Sequence, residues 1–244
     1  MSKSVIIIPS RLAATRLPNK PLININNKSL IMHVYEKAQK SKIGEVYVAT
    51  CDQEIASEVR KNGGKFIMTD SKHSTGTDRV FEASSKLDLQ DMDIVINVQG
   101  DEPMISPLDI KNLNKVSKEY DLNISTLAYE IKNKDYYENE NIVKVITNDK
   151  ISYKLTKEAL NFVRKVKKNS IKNVYHHFGI YLYKFSALKR FVNLEKSENE
   201  IKERLEQLRA IDNDMKIDVL LANYFSVGID TKKDLDEYIK ILNK

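Results

Sequence analysis

The sequence has little of what staples, anchors or addresses a protein. Its 244 residues include a single cysteine, Cys51, so no disulfide can form within the chain. With only four histidines beside it, a zinc site built from Cys and His is excluded in practice. Cys51 lies in YVATCD with no base supplied nearby, and reads as a buried structural residue at a strand end. The longest apolar runs, such as Val5–Ile8, fall far short of the ~20 residues that cross a bilayer. The opening MSKSVIIIPSR has too short an apolar stretch for a signal peptide, so the expectation is a cytoplasmic protein with no membrane partner. The net charge is +6, but the lysines are scattered and alternate with asparagine in NINNK, KNKDYY and KKNSIKN. That pattern is compositional bias. Arg164–Lys172 reads as a solvated turn or helix end, and no basic stripe with interleaved aromatics points to nucleic acid. There is no internal repeat and no linker rich in Pro, Gly or Ser, which argues for one domain.

What is present is a sizeable core, at 41% hydrophobic residues, patterned as alternating strands and helices. Strands are expected at Val5–Pro9, Glu45–Thr50, Lys65–Thr69 and Asp93–Val98. Helices are expected at Ser29–Lys40, Gln53–Asn62 (capped by Asp52 and ended by Gly63-Gly64), Gly76–Lys86 and Pro107–Glu119. This is a run of βαβ units and implies a mostly parallel sheet. After about Asn123 the pattern changes to closely spaced strands at Asn123–Ile131, Ile142–Thr147, Ile151–Leu155 and Val174–Tyr183, which suggest an inserted antiparallel β element. Helices at Phe185–Val192 and about Glu198–Asn213, a strand at Tyr224–Val227 and a closing helix at Thr231–Leu242 follow.

The chemistry concentrates at strand ends. After the first strand, Pro9 and Ser10 lead into Arg11, Arg16 and Lys20, three cations at an edge where open α/β sheets bind ligands. They suit a polyphosphate. This loop contains no glycine, so it is no Walker loop, and grip by side chains is expected. The fourth strand ends in NVQGDEP, with Gln99, a turn at Gly100, and the carboxylates Asp101 and Glu102 at the same edge. Carboxylates facing a cationic loop suit a magnesium–polyphosphate complex. Asp230, in VGIDT, is either a further such carboxylate or an ordinary helix cap. In HSTGTDR, Ser74, Thr75 and Gly76 open a helix N-terminus where donors can approach an anion, while Asp78 and Arg79 could pair with each other. His176 and His177 alternate on a strand, with Tyr181 four residues beyond His177. Glu206, Gln207 and Arg209 fall on the predicted helix before the last strand.

Together the segments IPSRLAATRLPNKPL, HSTGTDR, NVQGDEP, YHHFGIYLY, LEQLRAI and VGIDTKKDLDE, in this order along nearly the whole chain, resemble the sugar-acid cytidylyltransferases, above all those that act on 3-deoxy-D-manno-octulosonate (Kdo). The resemblance implies a Rossmann-like nucleotidyltransferase fold in a single domain. It assigns a nucleotide-binding part to about 1–122, a sugar-binding and dimerisation part to about 123–215, and a closing strand and helix to about 216–244. It implies a homodimer that makes CMP-Kdo and pyrophosphate from CTP and the ulosonic acid, with Mg2+, for lipopolysaccharide synthesis. Carried over by motif, Arg11, Lys20, Asp101 and Asp230 form the catalytic set, and Asp101 and Asp230 are the metal ligands. Pro9, Ser10, Arg11, Lys20, Ser74, Thr75, Gly76, Arg79 and Asp101 bind the nucleotide. Arg16, Gln99, His177, Tyr181, Glu206 and Gln207 line the sugar pocket. One segment departs from the family pattern: Lys154–Ala159 lacks the usual Ser-Arg pair and proline, and Lys157 is a candidate substitute for the arginine as a cation. Lysine lacks the bidentate fork of arginine, which leaves amino-Kdo or a sialic-acid-like sugar as alternatives.

Overall fold

The computed structural model of the chain describes residues 2–13, 17–166 and 171–243. Its contacts gather into two compact units, Met1–Lys111 with Phe225–Lys244, and Asn112–Tyr224. The sequence pattern placed the change near residue 123, and the family resemblance placed the closing part from about 216. Among the described residues no helix is long and apolar enough to cross a membrane.

In the first unit, β1 (Ser4–Ser10), β4 (Glu45–Thr50), β5 (Lys65–Met68) and β6 (Ile94–Asn97) form a parallel arrangement in the order β5-β4-β1-β6. Val5 to Ile8 are buried throughout, as a strand covered on both faces requires. Pro9 is tolerated in this central strand because the ladder with β6 ends at Ile7↔Asn97, before its missing N–H would be needed. Helices α1 (Leu30–Lys40), α2 (Gln53–Lys61) and α3 (Gly76–Ser85) bury their apolar positions, and α4 (Pro107–Glu119) carries the chain into the second unit. Between β1 and α1, the segment NINNK forms the two-stranded hairpin of β2 (Asn24–Ile25) and β3 (Lys28–Ser29). Asn26 and Asn27 both adopt positive φ there, the conformation of a tight primed turn that asparagine tolerates. Asn26 and Asn27, in one of the stretches read as compositional bias, are therefore turn residues.

In the second unit, β7 (Ile124–Glu130), β8 (Lys144–Thr147), β9 (Lys157–Val163), β10 (Val174–Lys184) and β11 (Asp218–Leu221) pair in the order β10-β7-β11-β9-β8. β8 also pairs with the start of β10, so the five strands close on themselves. All these pairings are antiparallel except β7 with β11. The fold class is as expected from the sequence, an α/β core with an antiparallel element, but several boundaries differ.

Ile151–Leu155 is not a strand. Ser152 closes a turn, its hydroxyl accepting from Leu155 N at 3.0 Å, and the ladder falls to Lys157–Val163 instead. Tyr224–Val227 is not a strand either: the buried apolar run of β11 takes the place between β7 and β9, and Tyr224 is exposed. The expected long helix Glu198–Asn213 is broken into α6 (Glu198–Glu203) and α7 (Leu208–Asp212) by Arg204, at φ 54°. On one straight helix, residues nine apart face opposite sides. The break lets Arg209 reach back to Glu200, with bonds of 2.8 and 2.6 Å, both side chains buried. Cys51 is only half-buried, where the sequence suggested full burial.

Candidate active site

The first unit's C-terminal strand edge gathers its charged groups around one amine. A 3-10 turn at Lys20–Leu22 buries Pro21 and presents Lys20. Its Nζ donates to Asp101 Oδ2 at 2.6 Å, to the Ile229 carbonyl at 2.9 Å and to Asp230 Oδ1 at 3.1 Å. Asp101 follows β6, and Ile229 N donates to the Asp101 carbonyl at 2.8 Å, which docks the closing segment against that loop. Ile229 is buried with Ile25, Leu30, Leu235 and Tyr238 under α8 (Lys232–Leu242). Asp230 does not cap that helix. Thr231 does, in a capping box with Asp234, and the Asp230 carboxylate meets Lys20 instead. Burial would lower the Lys20 pKa. The charges of Asp101 and Asp230, and the hydrogen bonds to them, outweigh burial and hold it above the ordinary lysine value.

A cleft of about 360 Å³ opens over this cluster, lined by Pro9, Ser10 and Arg11 from the end of β1 and by Gln99 and Asp101 from the end of β6. Thr75, Gly76 and Arg79 line it from the start of α3. Thr75 is that helix's cap, accepting from Asp78 N at 3.1 Å. Arg79 is buried and donates to Thr69 Oγ1 and to the Asp70 carbonyl, not to Asp78. Ser74 does not line the cleft, and its hydroxyl donates to Asp78 at 3.4 Å. Arg16 lies outside the described residues. Gly100 sits in the turn expected after β6, where Glu102 N donates to the Gln99 carbonyl at 3.2 Å, and it also allows close approach: a Cβ there would stand 2.9 Å from the Pro9 carbonyl and 3.3 Å from Ile31.

Two supporting contacts escaped the sequence reading. Asp52 precedes α2 as expected, but makes no side-chain cap bond. Its Oδ2 accepts from Leu12 N at 2.8 Å, tying down the cationic loop beside Arg11. His73 lines the cleft and is held by Glu82, which also accepts from Asp70 N and Lys86. A carboxylate three residues after the arginine of HSTGTDR was the available signal for the second.

A strand-edge cleft with paired carboxylates, cations and a capped helix N-terminus is an arrangement for a nucleotide triphosphate. A family model described as cytidylyltransferase matches residues 5–217. A 3-deoxy-manno-octulosonate cytidylyltransferase of Thermodesulfovibrio yellowstonii is 47% identical over 251 residues, covering 98% of each chain. That of Nitrobacter hamburgensis is 40% identical over 242 residues, covering 99% of this chain and 93% of its own. The chain belongs to the 3-deoxy-manno-octulosonate cytidylyltransferase family. The solved structure of a CMP:2-keto-3-deoxy-manno-octonic acid synthetase complexed with CTP superposes with a TM-score of 0.89 at 37% identity, covering 99% of both chains. A Bacillus anthracis putative glucose-1-phosphate thymidylyltransferase shares the fold at a TM-score of 0.66 and 15% identity.

The remaining residues that the family resemblance named lie in the second unit. His177 sits on β10 at a bulge, where the pairing with β7 shifts between His177 and Tyr181. The bulge breaks the regular alternation, yet the two rings pack 5.3 Å apart. Thr126 Oγ1 lies 3.0 Å from His177 Nε2 and donates to the Ile180 carbonyl at 2.6 Å. Burial, with a lesser push from His176, lowers the His177 pKa to about 3, so the ring is neutral. Burial, then the charges of Tyr183 and Glu206, raises the Tyr181 pKa well above normal. Its hydroxyl is buried without a hydrogen-bond partner among the described residues. Glu206 and Gln207 are not on a helix as expected. They lie in the break between α6 and α7, where Glu206 stands 3.7 Å from the Arg209 guanidinium. Lys157, the candidate substitute cation, opens β9 and is engaged by Asp149 at 2.9 Å.

Proposed function

We propose that the protein transfers CMP from CTP to the anomeric hydroxyl of 3-deoxy-D-manno-octulosonate, releasing pyrophosphate. The observation that carries this reading is the convergence of Lys20, Asp101 and Asp230 in one cleft beside Arg11 and the α3 N-terminus. In-line attack by the sugar hydroxyl on the α-phosphorus forms the new P–O bond as the bond to pyrophosphate breaks, and the hydroxyl proton is lost to solvent. Positioning and charge stabilisation supply the rate, with no covalent enzyme intermediate. Arg11 and Lys20 are assigned to the β- and γ-phosphates, where they stabilise the leaving group. Thr75 and Gly76 bring the helix N-terminus toward the nucleotide, and Pro9 and Ser10 form the cleft wall beneath it. Gln99, His177, Tyr181, Glu206 and Gln207 are assigned to the sugar acid.

The donor set fits magnesium. Asp101 and Asp230 offer carboxylate oxygens to one point, and no cluster of three or more ligating side chains exists among the described residues, so phosphate oxygens and water would complete the shell. Bound there, Mg2+ would neutralise charge on the α-phosphate and lower the pKa of the attacking hydroxyl. The same reading makes the protein a cytoplasmic homodimer, its nucleotide part in the first unit and its sugar-binding and dimerisation part in the second, supplying lipopolysaccharide synthesis. Family membership supports these points.

A second reading, a related ulosonic acid such as amino-Kdo or a sialic-acid-like sugar, is favoured by one observation. The segment that departs from the family pattern offers lysines in place of the arginine, and Asp149 already engages Lys157. Pyrophosphate release with CTP and Mg2+, measured across a panel of ulosonic acids, decides between them. Turnover with Kdo is the expected result. Turnover with a nine-carbon acid and none with Kdo would replace the first reading by the second.

A further inference from the structure

The two carboxylates assigned to the metal already hold a cation. Lys20 makes its three bonds to Asp101, to Asp230 and to the carbonyl of the neighbouring Ile229. The side chain of Lys20 is 14% exposed, against 32% for Asp101 and 48% for Asp230. The lysine therefore reaches the pair from beneath, while the carboxylates stay open toward the cleft. An ammonium at this point cancels much of the field that would draw a divalent cation, and it uses oxygens that a metal would need.

We propose that Lys20 is a built-in stand-in for the divalent cation: its ammonium holds Asp101 and Asp230 in place in the free protein and keeps the metal out until a triphosphate draws the ammonium away. This rests on the assignment of Asp101 and Asp230 to the metal. The chain thereby avoids two uncompensated carboxylates side by side, and the ligands stay close to their working positions. A triphosphate arriving in the cleft is the competing partner for Lys20. Once the ammonium turns to phosphate, the carboxylates regain their full charge, and the metal binds to both. Nucleotide and metal therefore favour each other's binding, and by linkage the coupling is reciprocal. A protein of this design resists metal loading at rest and binds metal with its substrate.

The test is a titration of the nucleotide-free protein with Mn2+, as a magnesium surrogate, followed by the electron paramagnetic resonance signal of the free ion. Lys20→Met and Lys20→Gln remove the charge, Lys20→Arg keeps it, and Lys20→Met/Asp101→Asn removes a ligand as well. Circular dichroism confirms that each is folded, and two neutral variants guard against failure of either one. The expected result is Mn2+ binding at least about tenfold tighter in Lys20→Met and Lys20→Gln than in the wild type, the modest end of what one unit charge at contact distance does near a protein surface. Lys20→Arg stays near the wild type, and the double variant loses the gain. Affinity unchanged or weaker in the neutral variants, or a gain that survives Asp101→Asn, overturns the proposal. The readout involves no turnover, so failure of cytidylyl transfer would strike the functional reading and leave this result to stand by itself.

Discussion

Replacing Asp52 with alanine should loosen the loop that carries Arg11 and raise the KM for CTP. The bond at stake runs from Leu12 N to Asp52 Oδ2, 2.8 Å, across 40 residues of sequence. A hydrogen bond to a charged acceptor contributes about 1.5–3 kcal/mol, and water can replace part of this one because both partners are only half-buried. The lower end applies, ~1.5 kcal/mol, which is about tenfold in affinity if the loss falls on the loop's binding position. Three variants separate this role from ordinary helix capping. Serine is an excellent cap for α2 but too short to reach Leu12, so Asp52→Ser should behave like Asp52→Ala in KM. Asparagine keeps an acceptor of the right length without the charge, so Asp52→Asn should recover roughly half of the loss in free energy. The assay is initial-rate pyrophosphate release over CTP concentration, with melting temperature alongside. If serine restored both KM and stability, Asp52 would be a cap and the loop-anchoring argument would fail.

Two further outcomes follow from buried and bridged charges. Glu200→Ala removes both short bonds to the Arg209 guanidinium, 3% exposed and 4.8 Å from the Phe191 ring, and leaves it the looser contact to Glu206 at 3.7 Å, so it should cost about 3 kcal/mol, the lower end for breaking a buried pair. At ~2–4 °C per kcal/mol for a chain of this size, thermal unfolding should shift by roughly 10 °C, and a shift under ~2 °C would refute the pairing. Glu82 shows the opposite sign of sensitivity to burial: desolvation would raise its pKa, but bonds from Lys86, Asp70 N and His73 bring it from 4.5 to about 2. Its contribution is therefore present above pH ~4.5 and lost as the pH falls toward ~2. The gap in melting temperature between wild type and Glu82→Gln should close as the pH falls from about 4.5 toward 2, and a gap that stays unchanged over that range would contradict the assignment.

The first half of the fold was legible because its strands are continuous aliphatic runs, and each helix starts and stops on local signals. β4 and α4 fall where the pattern placed them, since Glu45–Thr50 and Pro107–Glu119 carry their own boundaries. The errors arise where a distant partner decides. Nothing in EKSENEIKERLEQ announces the left-handed residue at Arg204, because the break is stabilised by the Glu200–Arg209 pair that it permits. Tyr224–Val227 has strand composition, but β11 takes the ladder place first. Asp52 looked like a cap because capping is local, whereas Leu12 is not. The residues that gather in the cleft were easier to pick out than their supports: cations and carboxylates at strand ends stand out in the sequence, while the contacts of Glu82 and Asp52 exist only after folding.

Asp230 shows how closely the fold and the site depend on each other. Three consecutive residues take three separate tasks: Ile229 is buried under α8, Asp230 faces Lys20, and Thr231 caps the helix. The capping box with Asp234 is what releases Asp230 from the capping that its position would otherwise invite. The apolar contacts of Ile229 with Ile25, Leu30, Leu235 and Tyr238 fix the height of the segment, and its backbone bond to Asp101 fixes the lateral position. Two carboxylates far apart in the sequence are thus brought to one amine by apolar packing and one peptide hydrogen bond, with Lys20 offsetting the repulsion between them. The glycine-free loop after β1 follows from the same design: Asp52 anchors its backbone at Leu12 on one flank, and the carboxylate pair holds the Lys20 side chain on the other.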